Sequence, residues 1–522
     1  MAGGNYHNQL YNDYVTLTEK YEMLIAELKK QTAQHKADWE EMQRLTKQIE
    51  QKDKMNDQLI KENIELAKQV EVLIKEVARL SQINGMDSTN SGLPTSQTPI
   101  QKKKHVPNSR SNSKKSKGGQ LGHKKHKLKK FDDQEINAYE EHKAVECPHC
   151  LGTVEKIVDG KTKDEFDYEV VLVKKRHCFP VYQCTNCHKK IHTPIPVRLK
   201  EENQYGPHVQ AMALTFMNEG NVSINKTQEM IKGFTFGEIV PSEGYLAKLQ
   251  QRAARTLAAF SEEMRKHLLT QSLIHWDDTV IMVNQHRVCL RFYGDEHLAL
   301  YKAHMQKNKE GVVEDQLLTL LNENTTVMHD HLTMNYSEEF SFTNVECNVH
   351  LLRDLRSCVD NTQHRWADDL AQLIGDTHKK RKQLIADGVD GFSFLETDAF
   401  FIKLDECWLL GDKENKKDDH LYYAKKERAL LNRLMKYRME YFYWVINFDV
   451  PFSNNTSERS LRGVKSKMKI SGQFQSITSA QNYATIRTYA ETCKRHGLNI
   501  VDALERVVHG KPYTLREILT KK

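Results

Sequence analysis

The chain has no run of about 18 consecutive apolar residues, so no membrane-spanning helix is expected. Its first residues, MAGGNYHNQLYNDY, lack a basic stretch followed by an apolar core, so they do not read as a secretory signal. Cysteine is sparse, ten in 522 residues, and four of the ten form two CxxC pairs. That usage argues against a disulfide framework and for reduced thiols in a cytosol, with metal binding as their use. Residues 101–130 contain no Asp or Glu but 12 Lys and Arg. The rest of the chain carries 65 basic against 70 acidic residues, so the formal charge of +7 comes from one local block. A concentrated basic block suits a polyanion such as DNA or RNA, whose phosphates bind Lys and Arg by releasing counterions. Within it, Lys114, Lys115, Lys117, Lys124 and Lys125 are the candidate phosphate contacts.

What is present is strongly segmented. Residues 10–80 carry a heptad pattern with Leu10, Leu17, Leu24, Leu45, Leu59, Leu66, Leu73 and Leu80 at one seam position. Tyr14, Tyr21, Leu28, Met42, Ile49, Val70 and Val77 fill the other. Val preceding Leu on such a seam favours a parallel dimer, and Asn63 on the seam can fix register. Residues 1–85 therefore read as a dimerising coiled coil, with an intramolecular helical hairpin as the alternative. Residues 86–130, rich in Ser, Thr, Asn, Pro and Lys, cannot bury a core and read as a flexible basic linker.

Cys147 and Cys150 (CPHC) and Cys184 and Cys187 (CTNC) form two knuckles 33 residues apart. Each can present two thiolates to one tetrahedral zinc ion. The intervening DEFDYEVVLVKKRHCFPVYQC reads as a β-hairpin that would return the second knuckle to the first. Residues 131–200 are thus expected to be a small β domain holding one structural zinc, since four thiolates leave no open coordination position.

Residues 201–270 show helical periodicity broken at Gly220, Gly233 and Gly237, so three or four short helices are expected, the last over about 242–267. They suit either helix-turn-helix binding to DNA or plain packing. Three short β runs follow, SLIHWDDTVIMVN, HRVCLRFYG and HLALYKAH, then a helix near 311–322 and a fourth strand, TTVMHDHL. Residues 344–359 read as a helix, 362–440 as a mostly polar helical insertion, and NNTSERSLRGVKSKMKISGQF opens another helix.

The adjacent carboxylates Asp277 and Asp278 stand out because they interrupt an apolar strand, and burying an ionised carboxylate is costly unless it is paired or holds a metal. Strand alternation points them to opposite faces, so one of the two enters a shared site. Asp330 ends a later strand and Glu458 opens a helix. Three carboxylates from two strands and a helix can hold two divalent ions about 4 Å apart, the arrangement used in phosphodiester chemistry. Mg²⁺ favours such oxygen ligands and keeps positions open for substrate phosphate.

Several motifs together resemble the transposases of the insertion sequence 66 family, bacterial DDE enzymes. GGQLGHKKHK (118–127), the paired CxxC knuckles, YGPHVQAMALTF, WDDT (276–279), CNVHLLRDL (347–355) and NNTSERSLRGVKSKMKISGQF match in order. Asp278 stands where that family usually has Glu, and Trp276 where it has a small residue. The resemblance implies a multidomain α/β chain with an RNase H-like core in two parts, 271–361 and 441–522, around the insertion. It places the catalytic, magnesium-holding triad on Asp277, Asp330 and Glu458, with two Mg²⁺ ions. A metal-activated water would cut the 3′ end of the element, and the freed 3′-hydroxyl would attack a target phosphodiester. Arg459, Arg462, Lys465, Lys467 and Lys469 would neutralise phosphates. Cys347, His350 and Arg353 would brace the neighbourhood of Asp330. The implied partners are double-stranded DNA, namely the terminal inverted repeats and the target, a second copy of the chain, and companion proteins of the same element. The implied place is the bacterial cytoplasm, at the nucleoid. The alternative is an inactivated transposase acting as a DNA-binding repressor.

Overall fold

A computed structural model describes residues 4–85, 130–158, 160–196, 198–199, 201–419 and 422–521. It divides into two compact units, residues 1–86 with 418–425, and residues 87–417 with 426–522. Lys114, Lys115, Lys117, Lys124 and Lys125 lie outside the described residues.

In the first unit, α1 (Gly4–Gly85) is one helix of 82 residues. No Gly or Pro interrupts it between its ends, and pairs such as Lys75–Glu71 at 2.5 Å support it locally. The heptad side chains from Leu10 to Leu80 are all exposed along it. Among the described residues, no helix is long and apolar enough to cross a membrane.

Among its described residues, the second unit opens with a loop-rich segment, 130–206, holding two short strands, β1 (Val181–Gln183) and β2 (Lys190–His192), paired antiparallel. This corrects the expected hairpin. Residues 160–180 form no strand, and the hairpin that exists closes on the second knuckle rather than joining the two. Pairing needs a face to bury, and the apolar residues of the expected strands, Phe166, Tyr168, Val171 and Val173, are exposed.

Four helices follow: α2 (Pro207–Asn218), α3 (Ile224–Phe234), α4 (Glu243–Thr256) and α5 (Ala258–Leu268). Ser223 and Ser242 cap α3 and α4 by accepting from Lys226 N–H and Tyr245 N–H. The expected single helix over 242–267 is broken at Leu257. These helices bury Leu214, Met217, Leu246, Leu249 and Met264 in one core with Ile274 and Trp276 of the sheet.

The sheet is mixed. Its strands are β3 (Leu273–Val283), β4 (His286–Gly294), β5 (Ala299–His304), β6 (Thr326–His329) and β7 (Thr343–Glu346). Their order is β5-β4-β3-β6-β7. The β3–β4 and β4–β5 pairs are antiparallel, while β3–β6 and β6–β7 are parallel. In place of the helix expected near 311–322 stand α6 (Lys309–Glu314) and a 3-10 turn at Leu318–Leu320. The expected helix over 344–359 is instead the strand β7 followed by α7 (Asn348–Thr362).

Between the second and third candidate acids lie α8 (Arg365–Ala386), α9 (Phe394–Lys417), α10 (Ala424–Lys436) and α11 (Arg438–Ile446). The chain then returns to the sheet with α12 (Asn455–Ser471) and α13 (Ile477–Arg495), and ends in α14 (Ile500–Val508) and α15 (Leu515–Thr520). Leu461 and Val464 of α12 and Tyr483 of α13 pack on Ile281, Leu290 and Phe292. β3 is thus covered on both faces, which explains its long apolar run.

Candidate active site

Register alone brings the first two acids together. In the parallel β3–β6 pair, Ile274 lies opposite Val327 and His275 opposite Met328. Carried two residues further, the same register sets Asp277 beside Asp330. Alternation separates Asp277 from its neighbour. His275, on the same strand face as Asp277, meets the start of α12, where its Nδ1 lies 3.0 Å from Asn454 Oδ1. Asp278 turns the other way and pairs with Lys307 at 2.6 Å. The shared site takes Asp277.

Glu458 arrives in the first turn of α12. That helix is fixed by Asn454, which is fully buried at its N-cap. The Asn454 side chain does not cap the helix. Its Nδ2 donates to Trp276 O at 2.9 Å, and its Oδ1 accepts from Ser457 Oγ at 2.5 Å. Its backbone N–H donates to Cys347 Sγ at 3.2 Å. One residue therefore ties β3, the end of β7 and α12 together. From the sequence Asn454 read as a helix start, and nothing local signalled the longer reach. His275 was likewise missed.

The second and third acids flank one imidazole. His350 Nδ1 lies 3.0 Å from Asp330 Oδ1, and Nε2 lies 3.8 Å from Glu458 Oε1. Arg353 Nη1 is 3.1 Å from His350 Nε2 and 3.9 Å from Glu458 Oε1. Arg462 Nη2 is 4.0 Å from Glu458 Oε2. Behind Asp330, the buried Glu346 accepts from Tyr336 Oη at 2.6 Å and His331 Nδ1 at 2.7 Å, which steadies the loop.

The electrostatics are those of crowded acids met by His350, Arg353 and Arg462. Burial, then the charges of Asp330 and Asp278, push the Asp277 carboxyl up to about 8, with the Asp278 N–H and then Lys465 opposing. Burial works against charging His350, but the Asp330 carboxylate and Cys347 sulfur beside it win, and its imidazole is pushed up to about 11. Asp330 Oδ1, Glu458 Oε1 and His350 Nδ1 are buried and make no well-directed hydrogen bond. Since buried polar atoms are normally satisfied, oxygens left this way beside a second buried acid fit a divalent cation.

The basic residues of α12 divide by face. Arg459, Arg462, Lys465 and Lys469 are exposed. Lys467 is not among them, which corrects its expected role toward phosphate. It is buried, its Nζ donates to Met217 O at 3.1 Å and Val222 O at 3.2 Å, and burial pulls its ammonium down to about 8. Helical spacing places it two residues from Lys465 and therefore on the inner side of α12.

The knuckles are locally well formed. Leu151 and His188 adopt left-handed φ of 60° and 54° at the same offset from Cys147 and Cys184. Cys147 N–H donates to Gly152 O and Cys184 N–H to Lys189 O, both at 2.9 Å. Backbone N–H groups of His149 and Cys150 hold the Cys147 thiol below its ordinary value, and those of Cys187 and Asn186 do so for Cys184. The four thiols are not gathered into one set. Among the described residues, the group of three or more Asp, Glu, His or Cys side chains with ligand atoms within 4.8 Å of one another is Asp330, Cys347 and His350.

A family model described as "Transposase IS66 family" matches residues 202–482, more than half of the chain. The match spans α2 through the first turns of α13 and includes all three acids. No curated protein matches the chain.

Proposed function

Because the chain belongs to the IS66 family of transposases, we propose that it is a DDE enzyme that binds the terminal inverted repeats of its element and carries out Mg²⁺-dependent strand cleavage and strand transfer. The observation that carries this reading is the convergence of Asp277, Asp330 and Glu458 from two adjacent strands and a helix 128 residues further along the chain than the second acid. The adjacency of the first and fourth strands of the sheet supports an RNase H-like core. Asp330 Oδ1 and Glu458 Oε1 accept no hydrogen bond and meet only the cationic His350 and Arg353, which supports a cation there.

In this reading Asp277, Asp330 and Glu458 hold two Mg²⁺ ions. Bound magnesium supplies charge stabilisation on the phosphodiester oxygens and activates the nucleophile. Water attacks first and releases a 3′-hydroxyl, which then attacks a target phosphodiester in line. Arg459, Arg462, Lys465 and Lys469 form the exposed face that takes the flanking phosphates, with help from the basic segment 86–130. The knuckles hold one structural zinc, and α1 pairs two copies through its exposed heptad seam. The helical segment 201–270 adds DNA contacts, companion proteins of the element join the assembly, and the work is done at the nucleoid.

The test is cleavage of duplex DNA carrying the element's terminal repeats, in Mg²⁺, by the wild type and by Glu458→Gln. The variant should lose cutting by a factor on the order of 10³ or more while keeping its affinity for the ends. Retained cutting would remove Glu458 from the site. Binding without cutting by the wild type itself would favour the repressor reading.

A further inference from the structure

We propose that Asp330, Cys347 and His350 form a binding site for a soft divalent cation, Zn²⁺ above all, and that zinc bound there withdraws Asp330 from the magnesium pair. The site stands on its own geometry, and only the competition with magnesium rests on the function proposed above.

The fold builds this site from three short-range facts. In the parallel β6–β7 pair His329 lies opposite Glu346, and Cys347 N–H continues the ladder to His329 O at 3.0 Å. The next residues along that register, Asp330 and Cys347, therefore leave the two strand ends side by side. Cys347 is the N-cap of α7, so His350 sits three residues on, in the first turn of that helix. A carboxylate, a thiol and an imidazole then meet with their ligand atoms within 4.8 Å of one another.

The donors are the wrong kind for magnesium alone. Mg²⁺ takes oxygen and water, whereas a Cys and a His beside an Asp match zinc, with a fourth position left for water. Two further observations point to a ligand. Asp330 Oδ1 and His350 Nδ1 face each other at 3.0 Å as an ion pair, without a well-directed hydrogen bond to any group. Glu458 Oε1 stands 3.8 Å behind the far nitrogen of the same ring, where a carboxylate commonly orients a metal-bound imidazole. Arg353 Nη1 lies 3.1 Å from that nitrogen and 3.9 Å from Glu458 Oε1, so it is placed to pair with Glu458 beside a metal-bound ring. Cys347 is 1% exposed, so its sulfur is shielded from other thiols. On binding, sulfur and Nδ1 each exchange a proton for the metal, and both protons leave to water.

The experiment uses the full chain and the metal alone. Zinc per chain is counted by atomic emission after dialysis at one fixed free Zn²⁺ concentration, for the wild type, Cys347→Ser and His350→Gln. The CxxC knuckles contribute equally to all three. The wild type should hold one zinc more than either variant, and its Co²⁺-substituted form should lose one thiolate's share of sulfur-to-metal charge-transfer absorbance in Cys347→Ser. Equal zinc counts would overturn the site. Thermal melting checks that each variant is folded, and either folded variant alone decides the count. A second arm follows bound Mn²⁺ by electron paramagnetic resonance. Added Zn²⁺ should release Mn²⁺ from the wild type at a concentration at least tenfold below that needed for His350→Gln. Mn²⁺ that stays bound as zinc fills the site would overturn the competition. A zinc difference in a chain that never binds Mn²⁺ would keep the site and remove the magnesium pair.

Discussion

The acid pocket and the cysteine knuckles are the two places proposed to hold metal, and they are assembled in opposite ways. At the acid pocket the tertiary structure does the gathering. The β3–β6 register, Asn454 and α12 hold Asp277, Asp330 and Glu458 together at the edge of a packed core. At the knuckles the local turns are complete down to matching left-handed residues, but the segment around them buries little. Ile157 is 97% exposed and Phe166 81%. The difference teaches where the free energy comes from. A site built on a core is organised by the core, whereas a loop-rich segment with zinc bound would draw its folding energy from the metal.

Removing metal from the knuckles should break this contrast most visibly. Chelation, or Cys184→Ser, should make residues 130–200 roughly tenfold more susceptible to limited proteolysis. The main thermal transition, which reports the sheet core, should move by less than about 1 kcal/mol. A comparable loss from the core would mean that the two regions depend on one another.

On the other side of the comparison, Asn454→Ala should cost about 2–4 kcal/mol in denaturant unfolding, because it leaves His275 Nδ1, Trp276 O and Ser457 Oγ buried without partners. An effect below about 1 kcal/mol would show that α12 is held by its apolar face alone.

Lys467 sharpens the comparison through pH. Its ammonium titrates at about 8 in the fold and near 10.4 when unfolded. Between those values the unfolded chain carries the extra proton, so this group makes stability rise with pH through that window, by at most about 3 kcal/mol. Below pH 8 both states are protonated and the contribution is flat. The difference in unfolding free energy between the wild type and Lys467→Met, measured from pH 7 to 10.5, should grow in favour of the wild type. A flat difference would mean the lysine is hydrated.

The smallest effect is expected on the outer face of α12. Lys469→Ala should weaken DNA binding by about 1 kcal/mol or less and lower the salt slope of log K by about one. Fluorescence anisotropy at several salt concentrations measures both.

Much of this molecule was legible from residue order. Helical and strand periodicity located α12, β3, β4 and β5 nearly to the residue, and the alternation of WDDT separated Asp277 from Asp278. Of the element readings the structure corrected, two show the physical reason most clearly. The 164–184 run has strand composition, but no second face covers it, and composition alone does not pair strands. Residues 344–359 take in most of the strand TNVE (343–346) and the start of a helix, and a strand that short leaves too little alternation to read. Lys467 failed for a different reason. A lysine in a basic stretch looks like its neighbours, and only the packing of α12 on the α2–α3 corner shows that it is inside.

By itself, the sequence determined the local facts: the long uninterrupted heptad helix, the knuckle turns, the two opposed aspartates and the family to which the motifs point. These depend on neighbours a few residues apart, which residue order encodes directly. The tertiary structure alone decided which strand lies beside β3, that Asn454 reaches from α12 to Trp276, that His350 stands between Asp330 and Glu458, and that Lys467 faces inward. Such contacts join residues tens to hundreds apart, and they exist only once the core has chosen its register.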